Sequence, residues 1–192
     1  LQLLTGRADA KIEVEASIQR LFFYAAWADK FDGSARSVPL KAIALVMNEA
    51  IGNCGVICDD RYPLLGFISA MAPLFATGNR SIIIPSEPFS PIVTDFYQVL
   101  DTSDVPPGTG NILTGKHTDL AIELASHMDI ESVWSFSTSD VSRDIEKASV
   151  SNLKRTWVSN GEKRDWYNEE SQGKQFLTNS TENKTIWIPY GE

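Results

Sequence analysis

The sequence contains few of the residues that bind metals or act as nucleophiles. Its 192 residues include two cysteines, Cys54 and Cys58, and two histidines. Four positions apart in a strand-like segment, the cysteines would lie on one face, too far from each other for a disulfide. Because the cysteines and histidines lack the spacing of metal ligands, we predict no metal site.

Positive charge and long apolar runs are also scarce. The 17 Lys and Arg are outnumbered by 25 Asp and Glu, and the net charge is −8. This balance argues against a nucleic-acid partner, because phosphate binding needs clustered basic residues. No apolar run reaches the roughly 20 residues that span a bilayer, so we expect no membrane partner. The first residues do not resemble a secretory signal, which favours a cytoplasmic protein.

Helical and strand-like patterns alternate along most of the chain. Residues 12–30 have apolar side chains at helical spacing, and residues 39–58 predict two strands with a break near 49–53. Further helices are predicted at 64–75, 90–100, 118–127 and 141–149, and further strands at 81–84, 111–113, 133–136 and 156–158. This alternation predicts an α/β fold, with an open parallel sheet and helices on both faces.

Polar residues mark the ends of two of these helices. Ser90 precedes Pro91, which suits the first helical turn, and Thr118 precedes an apolar-periodic segment. We therefore predict Ser90 and Thr118 as N-caps. His117 and His127 flank the second of these helices, and we predict both to be surface residues.

The last 27 residues differ from the rest. Residues 166–181 are polar and weakly patterned, whereas Thr185–Pro189 is strand-like. This strand has no obvious place in the parallel sheet, and such strands often pair with a neighbouring subunit or domain. We therefore divide the chain into an α/β domain at 1–165 and a C-terminal arm with an edge-pairing oligomerisation strand at 166–192.

Five short stretches occur together in an order and spacing that are typical of one family. They are Phe22–Lys30, Gly55–Ile57 with the following Pro63–Leu64, Ala72–Asn79, Pro85–Glu87 and Val105–Gly115. Together they resemble the aldehyde dehydrogenase superfamily over roughly residues 12–163. The resemblance implies a Rossmann-like fold that places NAD at the carboxyl ends of the strands, without a Gly-x-Gly-x-x-Gly motif.

The residues that oxidise aldehydes in that family have no counterparts here. The family uses a Cys nucleophile, an oxyanion-stabilising Asn and a Glu base. Arg61 stands at the Asn position and Ser159 at the Glu position, and the polar arm follows where the Cys-bearing domain is expected. Cys58, beside Asp59 and Asp60, is expected to have a raised pKa, which does not suit a nucleophile. The resemblance therefore implies that this chain contains no catalytic residue.

Two residues remain as candidates for cofactor binding. Glu87 occupies the family position that contacts the adenosine ribose, and Ser139 lies at the helix start that the pyrophosphate approaches. Against this, Ile84 replaces a lysine, Thr138 adds bulk and Asp140 adds negative charge. We therefore expect no bound cofactor, with NAD as the alternative.

A sheet that keeps its packing residues without the catalytic ones suggests a structural function. With the ending at residues 184–192, the pattern resembles tandem aldehyde dehydrogenases, whose second unit lacks a catalytic cysteine. We therefore predict a non-catalytic scaffold, or pseudoenzyme. It would dock on a catalytic aldehyde dehydrogenase domain in the same or a partner chain, or form a homo-oligomer through the C-terminal strand. The alternatives are an NAD-binding regulatory module and a fragment of an active NAD-dependent aldehyde dehydrogenase.

Overall fold

The computed structural model describes residues 1–191. Its helices are α1 (Gln2–Thr5), α2 (Ala10–Trp27), α3 (Leu65–Ala76), α4 (Pro91–Asp101), α5 (His117–Ser126), α6 (Ser139–Ser149) and α7 (Lys174–Asn179). Its strands are β1 (Ser34–Ser37), β2 (Ala42–Ala50), β3 (Asn53–Ile57), β4 (Arg80–Ile84), β5 (Gly110–Ile112), β6 (Ser132–Ser135), β7 (Arg155–Val158) and β8 (Thr181–Pro189). No helix in this part of the chain combines the length and apolar character needed to cross a membrane.

A five-stranded parallel sheet forms the centre of the fold. Its strand order is β5-β4-β3-β6-β7, and every neighbouring pair is parallel. Helices α3 to α6 follow β3, β4, β5 and β6 in turn, so each connects one parallel strand to the next. The strand order reverses between β3 and β6. The predicted α/β fold, with an open parallel sheet of the Rossmann-like type, is confirmed.

Two apolar layers cover the two faces of this sheet. Cys54, Val56 and Trp134 belong to the layer formed with α2, α3, α4 and α7. Ile57 and Val133 belong to the layer formed with α5 and α6. Successive strand residues point to opposite faces, and the central strands are apolar throughout because both faces are covered.

A buried carboxylate on α2 holds the start of α3. Glu13 is completely buried, and its Oε1 accepts the backbone N–H groups of Leu64 (2.9 Å) and Leu65 (3.1 Å). Its Oε2 accepts a hydrogen bond from Arg7 at 2.8 Å. The first N–H groups of a helix lack partners within that helix, so Glu13 performs the function of an N-cap side chain. It thereby positions the loop between β3 and α3.

The segment 166–181, predicted as part of a separate arm, packs into the main core. Trp166 and Phe176 are both completely buried. The ring of Phe176 lies 4.9 Å from that of Trp157 and 6.1 Å from that of Trp134, in edge-to-face contacts. The buried guanidinium of Arg20 donates to the carbonyl oxygens of Trp166 and Ser171. The predicted boundary at residue 165 therefore falls within one packing unit.

The C-terminal strand forms a second, antiparallel sheet with residues of the same chain. This sheet has the order β1-β2-β8, and β8 pairs with β2 from Ala42↔Pro189 to Ala50↔Thr181. As predicted, the strand lies outside the parallel sheet, but its pairing partner is β2 of the same chain rather than a neighbouring subunit. The partner strand β2 is remote in sequence, so local alternation cannot reveal the pairing.

Replacing Phe176 with Ala tests whether the segment 166–181 belongs to the core. We expect the free energy of unfolding to fall by about 3–5 kcal/mol, because the change leaves a cavity among buried aromatic rings. The matched control is Phe22→Ala, since Phe22 is 69% exposed. Urea unfolding followed by tryptophan fluorescence gives both values. Equal, small effects of the two changes would show that this segment is not part of the core.

Candidate functional site

The loops that follow β3, β4, β6 and β7 meet at the carboxyl edge of the parallel sheet. In open α/β sheets, ligands bind at this edge, where the strand order reverses. A cavity of about 170 Å³ lies there, lined by Asp59–Arg61, Phe136–Thr138 and Gly161–Lys163. A larger, open cleft of about 780 Å³ adjoins it, between the residues after β7 and the segment 168–175.

The loop after β3 is held by ion pairs and hydrogen bonds of its own. Asp59 accepts hydrogen bonds from Arg61 Nη2 at 2.9 Å and from the indole of Trp166 at 3.2 Å. The same Nη2 of Arg61 donates to the carbonyl oxygen of Arg164 at 3.0 Å. Arg61, at the family's oxyanion-stabilising position, is therefore held both by Asp59 of its own loop and by the carbonyl oxygen of Arg164, after β7.

Glu87 lies in the loop after β4 and contacts the start of α5. Its Oε1 accepts the backbone N–H of His117, the first residue of that helix. Its own N–H donates to Asp60 Oδ1 at 2.9 Å. A carboxylate is stabilised at a helix N-terminus, where unpaired N–H groups carry partial positive charge. The side chain remains 39% exposed, so Glu87 is both held in place and accessible.

His117 is a central residue of this edge, which the sequence analysis missed. The prediction of a surface histidine is wrong, because His117 is only 3% exposed. Its Nε2 lies 2.7 Å from the carbonyl oxygen of Pro85, and its Nδ1 lies 3.0 Å from Ser137 Oγ. No local pattern distinguishes a buried histidine at position 117, because its partners come from two other loops.

Thr118 is not the N-cap of α5. The helix begins at His117, and Lys116 occupies the N-cap position.

Ser90 occupies the predicted N-cap position of α4, and Pro91 is the first residue of that helix. The side chain of Ser90 makes no capping hydrogen bond. Helix α4 therefore begins where it was predicted to begin, but the side chain of Ser90 does not form the capping hydrogen bond.

The N-terminus of α6 faces the same edge. Thr138 is its N-cap, with Oγ1 accepting the N–H of Val141 at 3.4 Å, and Ser139 is exposed at the first helical position. Asp140 forms an ion pair with Arg143 at 2.9 Å along the helix. Gly161 packs against this helix start, since a Cβ there would lie 2.9 Å from the N atom of Ser139. Ser139 is thus exposed at the start of α6, with Gly161 packed close to its backbone N atom.

Neither cysteine is suited to act as a nucleophile. Both are buried, and burial raises the pKa of the Cys54 thiol to about 12. Burial, together with the charges of Asp59 and Asp60, also raises the pKa of the Cys58 thiol. A thiol attacks as its thiolate, which these surroundings disfavour. Ser159, at the family's general-base position, donates from its hydroxyl to the carbonyl oxygen of Ser137 at 3.3 Å.

Within residues 1–191, no group of three or more His, Cys, Asp or Glu side chains is arranged to hold a metal ion.

Comparison with known proteins identifies the family. The model of the aldehyde dehydrogenase family matches residues 5–167. This chain belongs to the aldehyde dehydrogenase family. Retinaldehyde dehydrogenase 3 of Homo sapiens is 29% identical over 153 residues, which are 79% of this chain and 30% of that protein. Retinal dehydrogenase 2 of Mus musculus is 32% identical over the same shares. The chain thus spans about 30% of the length of the curated relatives it matches.

Several solved structures share the fold. PnpE, known from Pseudomonas sp. WBC-3, has been solved in complex with nicotinamide adenine dinucleotide. That complex matches with a TM-score of 0.78 and 27% identity, covering 82% of this chain and 33% of PnpE. Lactaldehyde dehydrogenase from Escherichia coli matches with a TM-score of 0.74 and 23% identity, covering 78% of this chain and 31% of that one.

The reactivity of the two thiols tests the view that neither is a nucleophile. In the native protein at pH 8, we expect both to react with a disulfide reagent at least about 100-fold more slowly than in the unfolded chain, because burial disfavours the thiolate. Cys54→Ser and Cys58→Ser variants assign each signal. One rapidly reacting equivalent in the native protein would contradict this expectation.

Proposed function

We propose that this chain is the nucleotide-binding and assembly part of an NAD-dependent aldehyde dehydrogenase. The observation that carries the proposal is the placement of Glu87, which is fixed at the start of α5 and exposed at the carboxyl edge of the sheet. The NAD complex of PnpE, with the same fold, supports NAD as the ligand. This proposal develops the alternative that the chain is a fragment of an active NAD-dependent aldehyde dehydrogenase, rather than the alternative of an NAD-binding regulatory module.

Two groups of this chain would hold the cofactor. The exposed carboxylate of Glu87 would accept hydrogen bonds from ribose hydroxyls, and the start of α6 at Ser139 would attract the pyrophosphate. Ile84, at the family's lysine position, is completely buried and its side chain has no hydrogen-bond donor, and Asp140 adds a negative charge at the start of α6. We therefore propose weak binding. Bound NAD would supply the hydride acceptor for aldehyde oxidation.

The oxidation step itself would depend on residues that this chain does not provide. Cys54 and Cys58 are buried with raised pKa values, and Ser159 has no basicity near neutral pH. The nucleophile and the general base would therefore come from a catalytic aldehyde dehydrogenase domain, either in a longer parent protein or in a partner. On this proposal, the chain alone does not oxidise aldehydes.

A scaffold function is a second candidate, and the outer edge of β8 favours it. Strand β8 ends the order β1-β2-β8, so one of its edges is unpaired within the described residues. Ile186 and Ile188 are 37% and 47% exposed, and they lie opposite Leu45 and Ile43 of β2. A long apolar edge strand tends to pair with another chain. We propose that β8 joins this chain to a catalytic domain or to a second copy.

The contribution of Glu87 to NAD binding is directly measurable. We expect calorimetric titration to show weak, saturable binding, and Glu87→Gln to reduce the affinity about tenfold, because hydrogen bonds to a charged acceptor are lost. The control is Glu146→Gln, which removes the same charge at an exposed position on α6. Absence of saturable heat with the wild-type chain, or equal affinities for wild type and Glu87→Gln, would contradict NAD binding at this site.

The assembly function of β8 is tested by adding charge to its apolar face. We expect the double change Ile186→Lys and Ile188→Lys to reduce self-association in sedimentation velocity, because charges on an edge strand oppose pairing. Met128→Lys is the control, since Met128 is 77% exposed at a distant turn. If wild type is monomeric at every concentration tested, assembly between copies is excluded. Circular dichroism confirms that the double variant remains folded.

A further inference from the structure

The imidazole of His117 connects the two loops that carry the candidate cofactor contacts. Its Nε2 contacts the carbonyl oxygen of Pro85, two residues before Glu87. Its Nδ1 contacts the hydroxyl of Ser137, two residues before Ser139. Its backbone N–H donates to the carboxylate of Glu87 itself. His117 therefore contacts both loops, and it also contacts Glu87, one of the two candidate cofactor-binding residues.

The contact with Pro85 determines the protonation of Nε2. A carbonyl oxygen only accepts hydrogen bonds, so Nε2 must carry a proton to bond with Pro85. When the ring is neutral, Nδ1 accepts a hydrogen bond from the hydroxyl of Ser137. When the ring is protonated, Nδ1 donates to that hydroxyl instead, and the carboxylate of Glu87 lies 4.0 Å from Nδ1. Burying a polar ring is costly unless its nitrogens are hydrogen-bonded, and here both have partners. A histidine at this position is thus explained by its two bonds rather than by its volume.

We infer that His117 is a positioning residue, which sets the spacing between the loop that holds Glu87 and the loop that leads to Ser139. The significance of this spacing for a ligand rests on the proposed NAD site. The connection itself depends only on the contacts of His117 and is measurable without NAD. His117 acts through Glu87 and Ser139, and no direct contact with a ligand is needed.

Two conservative variants separate the two connections. In His117→Asn, the amide occupies roughly the place of Nδ1, so the contact with Ser137 is retained and that with Pro85 is lost. In His117→Gln, the longer amide reaches toward the place of Nε2, so the opposite contact is retained. The control is His127→Gln, because His127 is exposed at the other end of the same helix.

Hydrogen exchange of the full chain without ligand provides the first measurement. We expect His117→Asn to speed exchange about tenfold in residues 86–90, and His117→Gln to do so in residues 137–142. His127→Gln should change neither segment. Equal acceleration of both segments by both variants would indicate only general loss of stability and would overturn the inference, as would no acceleration. Should either variant fail to fold, Ser137→Ala removes the second contact alone and is expected to loosen residues 137–142.

Titration with NAD provides the second measurement. We expect both His117 variants to bind NAD about tenfold more weakly than wild type and than His127→Gln. Unchanged affinity despite loosened loops would overturn the positioning function. If wild type itself binds no NAD, the proposed function fails. The exchange pattern then still decides whether His117 sets the spacing of the two loops. Nitrogen-15 NMR of the ring adds a check, because a neutral ring with its proton on Nδ1 would also contradict the inference.

Discussion

Burial of both faces of the central strand β3 is the constraint on which the rest of the structure depends. Cys54, Val56 and Ile57 on this strand are all completely buried. The crossover helices that join the parallel strands lie on both sides of the sheet and cover both faces of this strand. The crossovers α3, α5 and α6 then begin at one edge, beyond the carboxyl ends of the strands. The candidate site is formed by this geometry, from loops that are remote in sequence.

The C-terminal segment completes one of these two layers. Trp166 and Phe176 fill the space between β6, β7 and α2, and Arg20 binds the carbonyl oxygens of the same segment. The buried guanidinium has its pKa lowered by burial, and three hydrogen bonds to oxygen compensate for the loss of water. Helix α7, at the end of this segment, leads directly into β8. The antiparallel sheet is thus attached to the parallel-sheet core through an aromatic cluster as well as through the chain connection.

The candidate site combines residues of two kinds. Glu87 and Ser139 follow from the family resemblance, because they occupy matching positions in short, recognisable stretches. His117 belongs to neither stretch and is visible only when Pro85 and Ser137 are brought beside it. The cysteines show the same division. The neighbouring aspartates predict the direction of the shift in the pKa of Cys58, but its main cause, burial, comes from packing.

Local patterns in the sequence determined the elements of the parallel sheet, because the 3.6-residue and two-residue periodicities of apolar side chains are imposed by which face each element buries. The family resemblance, rather than periodicity, led to the expectation that neither cysteine is the nucleophile. Only the tertiary structure decided the partner of β8, the packing of residues 166–181 and the position of His117. Each of these depends on contacts between residues far apart in the chain, such as Arg20 with Ser171 or Asn48 with Asn183. Periodicity shows which face of a helix or strand is buried, but it does not show which remote segment packs against that face.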